Sequence, residues 1–190
     1  RLSVVLPAYN EELMVGKTCR VLHEVLSEAG ISYELVVVDD GSKDKTWDEI
    51  TKAGEKDMNV LGVHFSRNFG KEAALYAGLS NADGDYIATM DADLQDPPSL
   101  LPRMLAMIES QDCDNVATRR VNRKGEPPIR SFFARYFYKL MRRLSNIDIA
   151  DGARDYRLMS RAMVDSILSV SEYNRFSKGI FAWVGYETRW

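Results

Sequence analysis

Residues 2–46 read LSVVLPAYNEELMVGKTCRVLHEVLSEAGISYELVVVDDGSKDKT. Two short runs rich in Val and Leu, Leu2–Leu6 and Glu34–Asp39, flank a longer stretch, Glu11–Ala29, whose apolar residues recur at helical spacing. The alternation continues with helix Lys45–Ala53, strand Val60–Phe65, helix Lys71–Ala82, strand Asp85–Met90, helix Pro98–Ser110 and strand Asn115–Thr118. It predicts an α/β fold, a Rossmann-like and mostly parallel sheet with helices on both faces.

In such a sheet the loops leaving the carboxyl ends of the strands build the ligand site. The polar, turn-rich segments lie there: PAYNEE after the first strand, DDGSKDKT after the second, SRNFGKE after the third and DADLQDPP after the fourth. Converging on one rim, they make a cleft.

The rest of the chain sets the bounds. At 190 residues, 45% hydrophobic and 28% charged, it suits one globular domain and excludes disorder, collagen-like repeats and a disulfide miniprotein. Two cysteines, Cys19 and Cys113, give no disulfide or zinc framework, which points to a reducing compartment. No apolar run approaches the roughly 18 residues of a membrane span. The chain begins at Arg1 rather than Met and stops at Trp190, which reads as a piece of something longer. Its net charge of −3 hides an asymmetry: residues 119–143 hold nine basic residues against Glu126, a window of +8, leaving −11 for the remainder. Within and just beyond that window, residues 129, 132, 133, 136, 137, 140, 141 and 144 form one apolar face, predicting a basic, aromatic-rich amphipathic helix. It either packs on the sheet or lies at a membrane surface near a lipid phosphate. After it come a short GARDYRLMS segment, a helix near Ser160–Val170 and an apolar run, Gly179–Val184.

Asp91 and Asp93 sit where the DYIATM strand runs out, followed by Gln95 and Asp96. Two carboxylates this close repel unless a cation lies between them, and hard oxygen ligands with open positions suit Mg²⁺ or Mn²⁺ on a diphosphate. A solvated turn is the plainer reading of an Asp-x-Asp. Asp39 and Asp40 end another strand, with Ser42 or Asp44 as candidate helix caps. A phosphoacceptor receiver domain would need an Asp after the third strand, where this chain has Ser66 and Arg67. A dinucleotide-binding loop would need G-x-G-x-x-G after the first strand, where no glycine occurs before Gly16. Lys71, beside Gly70 at a helix start, and Arg119 at the same rim offer positive partners for phosphate. Arg154, Asp155 and Arg157 equally suit an internal ion-pair cluster.

With these segments in hand, the chain resembles the family 2 glycosyltransferases of GT-A fold, and within them the polyprenyl-phosphate branch of bactoprenol glucosyltransferases and dolichol-phosphate mannose synthases. The resemblance rests on VVLPAYNEE, VVVDDGSKDKT, FSRNFGKEAALYAGL, MDADLQDPP, DYRLMSR and NRFSKGIFAWVG. It implies one GT-A catalytic domain over residues 1–190, with a core at 1–120 and an acceptor- or membrane-facing segment at about 121–190. Pro7, Tyr9 and Glu11 would line the nucleoside pocket, and Val38 and Asp40 would contact the base. Asp91, Ala92, Asp93 and Gln95 would surround metal and sugar diphosphate, Asp91, Asp93 and Gln95 as metal ligands, and Lys71 would reach the donor. Arg119, Arg130 and Arg157 would hold the acceptor phosphate. The branch continues into transmembrane helices that this chain lacks, through which a homo-oligomer can form, and Arg154 stands where the branch has Gly.

The expected reaction is inverting transfer of a hexose, UDP-glucose favoured over GDP-mannose as donor, to a polyprenyl phosphate at the cytoplasmic face of the membrane. Asp91, Asp93 and Asp155 are the catalytic candidates, with Asp151 behind Asp155, and no nucleic-acid partner is expected. A soluble polysaccharide-building glycosyltransferase and a non-catalytic nucleotide-sugar-binding protein are the alternatives.

Overall fold

A computed structural model of the chain describes residues 1–119, 153–170, 172 and 175–190. Its centre is a seven-stranded sheet ordered β3-β2-β1-β4-β6-β5-β7. The strands are β1 (Leu2–Ala8), β2 (Tyr33–Asp39), β3 (Val60–His64), β4 (Tyr86–Thr89), β5 (Asn115–Arg119), β6 (Ala153–Ser160) and β7 (Thr188–Arg189). The helices are α1 (Val15–Glu28), α2 (Thr46–Lys56), α3 (Lys71–Asn81), α4 (Leu101–Ser110), α5 (Arg161–Ser169) and α6 (Ser177–Trp183), with a 3₁₀ turn at Pro98–Leu100 ahead of α4. The expected helix over 129–144, Arg130 and Asp151 lie outside the described residues.

All seven residues of β2 are buried, as helices on both faces require. The pleat then sorts the side chains. Val4, Leu6, Leu35 and Val37 join α1, α2 and α4 in one core, while Val5, Val36 and Val38 join α3, α5 and α6 in the other. On α1, Val15, Thr18, Cys19, Leu22 and Leu26 make the buried stripe. Gly78 lets α3 lie close on β1, since a Cβ there would come within 2.3 Å of Val5 Cγ1.

Several elements depart from the sequence expectation, among them strand β7 and helix α6, which contains most of the expected apolar run Gly179–Val184. Helix α1 begins at Val15 rather than Glu11: residues 11–14 form a turn ahead of it, in which the Glu11 carbonyl accepts the Met14 and Val15 N–H groups while the Glu11 and Glu12 N–H groups donate to Thr46 Oγ1 and Asp44 Oδ2. The ARDYRLMS segment is a full central strand: β6 runs antiparallel between β4 and β5, with Thr89 opposite Arg157. Its three charged residues mask an apolar pattern that only the last half, Tyr156–Met159, carries in full burial. Lastly, α2 takes its cap indirectly: Lys45 is the boundary residue, and Asp44 Oδ1 accepts the Thr46 N–H at 3.0 Å.

The chain builds outward from β1 to β2 and β3, then returns to place β4 on the other side of β1. That reversal leaves a crevice beyond the carboxyl ends of β1 and β4, the place where open α/β sheets receive ligands. Because β6 is antiparallel, its first residues arrive at this same rim.

Candidate active site

At the crevice lies a cleft of about 300 Å³, lined by residues of the first loop (Pro7, Ala8, Tyr9, Glu11), the third (Asn68, Gly70, Lys71) and the fourth (Asp91, Ala92, Asp93), with Asp40 and Ala74. The loops are laced together. Asn10, in the left-handed region at φ 56°, donates its N–H to Ser42 Oγ (2.9 Å) and accepts the Lys43 N–H at Oδ1 (2.9 Å). Asn tolerates that conformation better than most residues. Asp40, 3% exposed, accepts the N–H groups of Phe69 (2.7 Å) and Gly70 (2.9 Å), so its carboxylate fixes the loop that delivers Lys71. Gly41, at φ +64°, is pressed against this loop; a Cβ there would sit 2.2 Å from the Arg67 carbonyl carbon. Asp39 accepts the Ser42 N–H at Oδ1 and pairs with His64 Nδ1 at Oδ2 (2.8 Å).

The fourth loop is held from beneath, where Thr18 Oγ1 donates to the Ala92 carbonyl (2.6 Å), and from within, where the Gln95 N–H donates to Asp93 Oδ1 (3.0 Å). Leu94 adopts φ 58° between them, a costly conformation for this residue that the surrounding contacts enforce.

Charge is concentrated on Lys71. Its Nζ lies 2.7 Å from Asp91 Oδ1 and 2.9 Å from Asp155 Oδ2, and Lys178 Nζ stands 3.8 Å from Asp155 Oδ1. Burial alone would lower the Lys71 pKa, but the two carboxylates outweigh it and raise it. Burial would likewise raise Asp155, and Lys71 first, then Lys178 and Arg157, hold it below its ordinary value. Glu11 is pushed upward by partial burial and then by Asp93, Asp44 and Asp91, so the rim is an anionic field awaiting positive charge. Asp96, behind it, is pushed up by burial and by Asp91 and Asp93, against the pull of Arg154 at 2.6 Å.

Of the residues proposed from sequence, Pro7, Tyr9, Glu11, Asp40, Lys71, Asp91, Ala92 and Asp93 come together in the cleft wall, and Asp155 joins them through Lys71. Val38 does not: its side chain is fully buried in the core shared with α3. Gln95 is exposed and off the cleft wall, Arg119 is exposed at the end of β5, and Arg157 is only 4% exposed. The Arg157 guanidinium is covered by the Phe181 ring at 3.9 Å and donates to the Arg154 carbonyl, and burial brings its pKa down to about 10. It is a core cation rather than part of the cleft wall. The suspected Arg154, Asp155 and Arg157 cluster is divided among Asp96, Lys71 and Phe181. Sequence reasoning missed Lys178, which reaches the site from α6, and the Arg154–Asp96 pair. Nothing local in either stretch signals the partner.

Among the described residues no group of three or more His, Cys, Asp and Glu side chains could hold a metal by itself. Asp91 and Asp93, both on the cleft wall, would suit a hard divalent cation only if other groups completed its ligand set, and Asp91 draws an ammonium to 2.7 Å.

Comparison with known proteins bears on the family and the fold. Residues 3–168 match the family described as "Glycosyl transferase family 2". The uncharacterized glycosyltransferase sll0501 of Synechocystis sp. is 42% identical over 97% of this chain and 58% of its own length. A prophage bactoprenol glucosyl transferase homolog of Escherichia coli K12 is 38% identical over 99% of the chain and 61% of its own. The chain thus spans about three fifths of the length of these curated relatives. Mannosyltransferase PcManGT from Pyrobaculum calidifontis, solved in complex with GDP-Man and Mn²⁺, superposes with a TM-score of 0.66 at 20% identity, over 99% of this chain and 53% of its own. The architecture is that of the GT-A glycosyltransferases, and the chain belongs to glycosyltransferase family 2.

Proposed function

We propose that this chain is the catalytic domain of an inverting glycosyltransferase that moves glucose from UDP-glucose to a polyprenyl phosphate at the cytoplasmic face of a membrane. The observation that carries the reading is the meeting of Asp91, Asp93 and Lys71 in one cleft at the β1–β4 crevice, with Asp155 joined to them through Lys71. The likeness to a bactoprenol glucosyl transferase homolog favours glucose and a polyprenyl acceptor.

In the proposed reaction an acceptor phosphate oxygen attacks the anomeric carbon, a new C–O bond forms, and the bond to the diphosphate breaks with its electron pair leaving on the nucleotide. A phosphate monoester loses its second proton near pH ~6, so the nucleophile needs no strong base. Asp155, whose carboxylate is held ionised between Lys71 and Lys178, is suited to orienting groups rather than to removing a proton. Pro7, Tyr9 and Asp40 frame the nucleoside end of the cleft, and Lys71 stands ready for the diphosphate. A divalent cation, Mg²⁺ or Mn²⁺, held by Asp91 and Asp93 would neutralise charge on the leaving nucleotide.

The test is transfer of labelled sugar from UDP-glucose or GDP-mannose to undecaprenyl phosphate, dolichyl phosphate or free oligosaccharides. Lipid-linked glucose from UDP-glucose is expected, and Asp91→Ala should cut the rate by about 10²-fold or more. Transfer only to free sugars, or donor binding without turnover, would replace the reading with a polysaccharide-building enzyme or a binding protein. Transfer from GDP-mannose alone would change the donor.

A further inference from the structure

The Lys71 ammonium stands against the Asp91 carboxylate, the group that a divalent cation in the cleft would also seek. It is 2.7 Å from Asp91 Oδ1, so a second cation approaching this carboxylate competes with the ammonium for its charge while the contact lasts. The lysine is held by two carboxylates from different strand ends, and among the described residues Asp91 pairs with no other cation. Asp155 differs, because its other oxygen faces Lys178 at 3.8 Å and keeps a positive neighbour if Lys71 departs. Departure is mechanically simple. Lys71 is the first residue of α3, its side chain and that of Asp91 are each 43% exposed, and the helix is anchored through Ala74, Leu75 and Leu79, away from the ammonium. The same cleft that holds Lys71 and Asp91 holds Asp93, so a diphosphate entering beside the two aspartates comes within reach of the lysine.

We propose that Lys71 is a placeholder cation: in the donor-free protein it neutralises Asp91 and Asp155, and it yields Asp91 to a divalent metal when a nucleotide diphosphate offers it a new anionic partner. The inference rests on the sugar-nucleotide reading above and adds an order to it. Metal alone must compete with the ammonium, whereas metal and diphosphate together exchange one set of ion pairs for another. The two ligands are therefore coupled, and linkage makes the coupling reciprocal.

Mn²⁺ binding followed by electron paramagnetic resonance, with and without UDP or GDP, tests this on the unmodified protein, Lys71→Gln and Lys71→Arg. Without nucleotide, Lys71→Gln should bind Mn²⁺ about tenfold or more tightly than the parent, the size of a lost charge-assisted contact. Its gain in Mn²⁺ affinity on adding nucleotide should shrink by the same factor. Lys71→Arg keeps a cation in place and should stay within about threefold of the parent. An unchanged or weakened nucleotide-free Mn²⁺ affinity in Lys71→Gln overturns the placeholder while leaving the glycosyltransferase reading intact. Failure of every protein to take up Mn²⁺ even with UDP or GDP overturns the metal reading with it. A crystal structure of the unmodified protein with UDP and Mn²⁺ gives a readout independent of how the variants fold. Lys71 Nζ should have moved onto a phosphate oxygen, and an ammonium still within hydrogen-bond distance of Asp91 beside bound metal overturns the proposal.

Discussion

Arg154 reaches from the start of β6 to Asp96, whose side chain is 5% exposed, at 2.6 Å. Its partner accounts for it: Asp96 lies behind Asp91 and Asp93, in a place where burial and two neighbouring carboxylates disfavour its charge. Even with Arg154 in place the Asp96 pKa is raised, so the folded state holds its proton more tightly than the unfolded chain does. Such a group costs stability above its folded pKa, and the cost disappears as pH falls through that value. Arg154→Ala should therefore destabilise the protein by roughly 2 kcal/mol at pH 7, a buried-pair loss reduced because the arginine is partly exposed. Thermal unfolding should show a midpoint about 4–8 °C lower. The deficit should shrink as pH is lowered through the carboxylate range, and a deficit constant from pH 7 to pH 3 would show that Arg154 acts through packing alone. Asp40 illustrates the same scale differently. Its position as a strand-end acid was legible in the sequence, but that its buried carboxylate accepts two backbone N–H groups, and so shapes the Lys71 loop, was not.

At the scale of elements, α3 matters because it carries Lys71 on its first turn and rests on the centre of the sheet. Its approach depends on Gly78, where a Cβ would come within 2.3 Å of Val5 Cγ1 and 3.3 Å of Val38 Cγ2. Both contacts are with fully buried side chains of β1 and β2 that have little room to give. Gly78→Ala should lift the helix and cost about 1–3 kcal/mol, the usual penalty of overpacking. Combining it with Val5→Ala should recover part of that loss, since the two positions share one contact and their effects do not add. Chemical denaturation of the two single variants and the double variant measures the coupling, and strict additivity would place the strain elsewhere. The β6 strand plays the complementary part. Paired on both sides, it sets Asp155 at the rim by register, with Thr89 Oγ1 donating to the Asp155 carbonyl from the neighbouring β4.

For the whole molecule, charge is divided more sharply than the net value of −3 suggests. The 119–143 window carries +8 and the remainder −11, while the cleft itself is lined by Glu11, Asp40, Asp91 and Asp93 against Lys71. A protein of net negative charge should avoid anionic vesicles unless the basic window meets them. Co-sedimentation with phosphatidylglycerol vesicles is expected at low salt and should be lost at about 0.5 M salt, where the screening length falls to a few ångströms. No binding at low salt would remove the membrane-facing role of that window. Among the described residues no helix is long and apolar enough to cross a membrane. The sequence by itself determined the alternation of strands and helices, the rim on which the polar loops gather and the Asp91–Asp93 pair, because these depend on local periodicity and on turn chemistry at strand ends. It did not reveal β6, whose charged first half conceals a strand that exists only because β4 and β5 flank it. Tertiary structure alone decided that Lys71 bridges Asp91 and Asp155, 84 residues away from the latter, that Lys178 joins them, and that Arg157 is roofed by Phe181. Such pairings join charges distant in sequence, and their energies depend on separation in space and on exclusion of water, neither of which is written in local residue order.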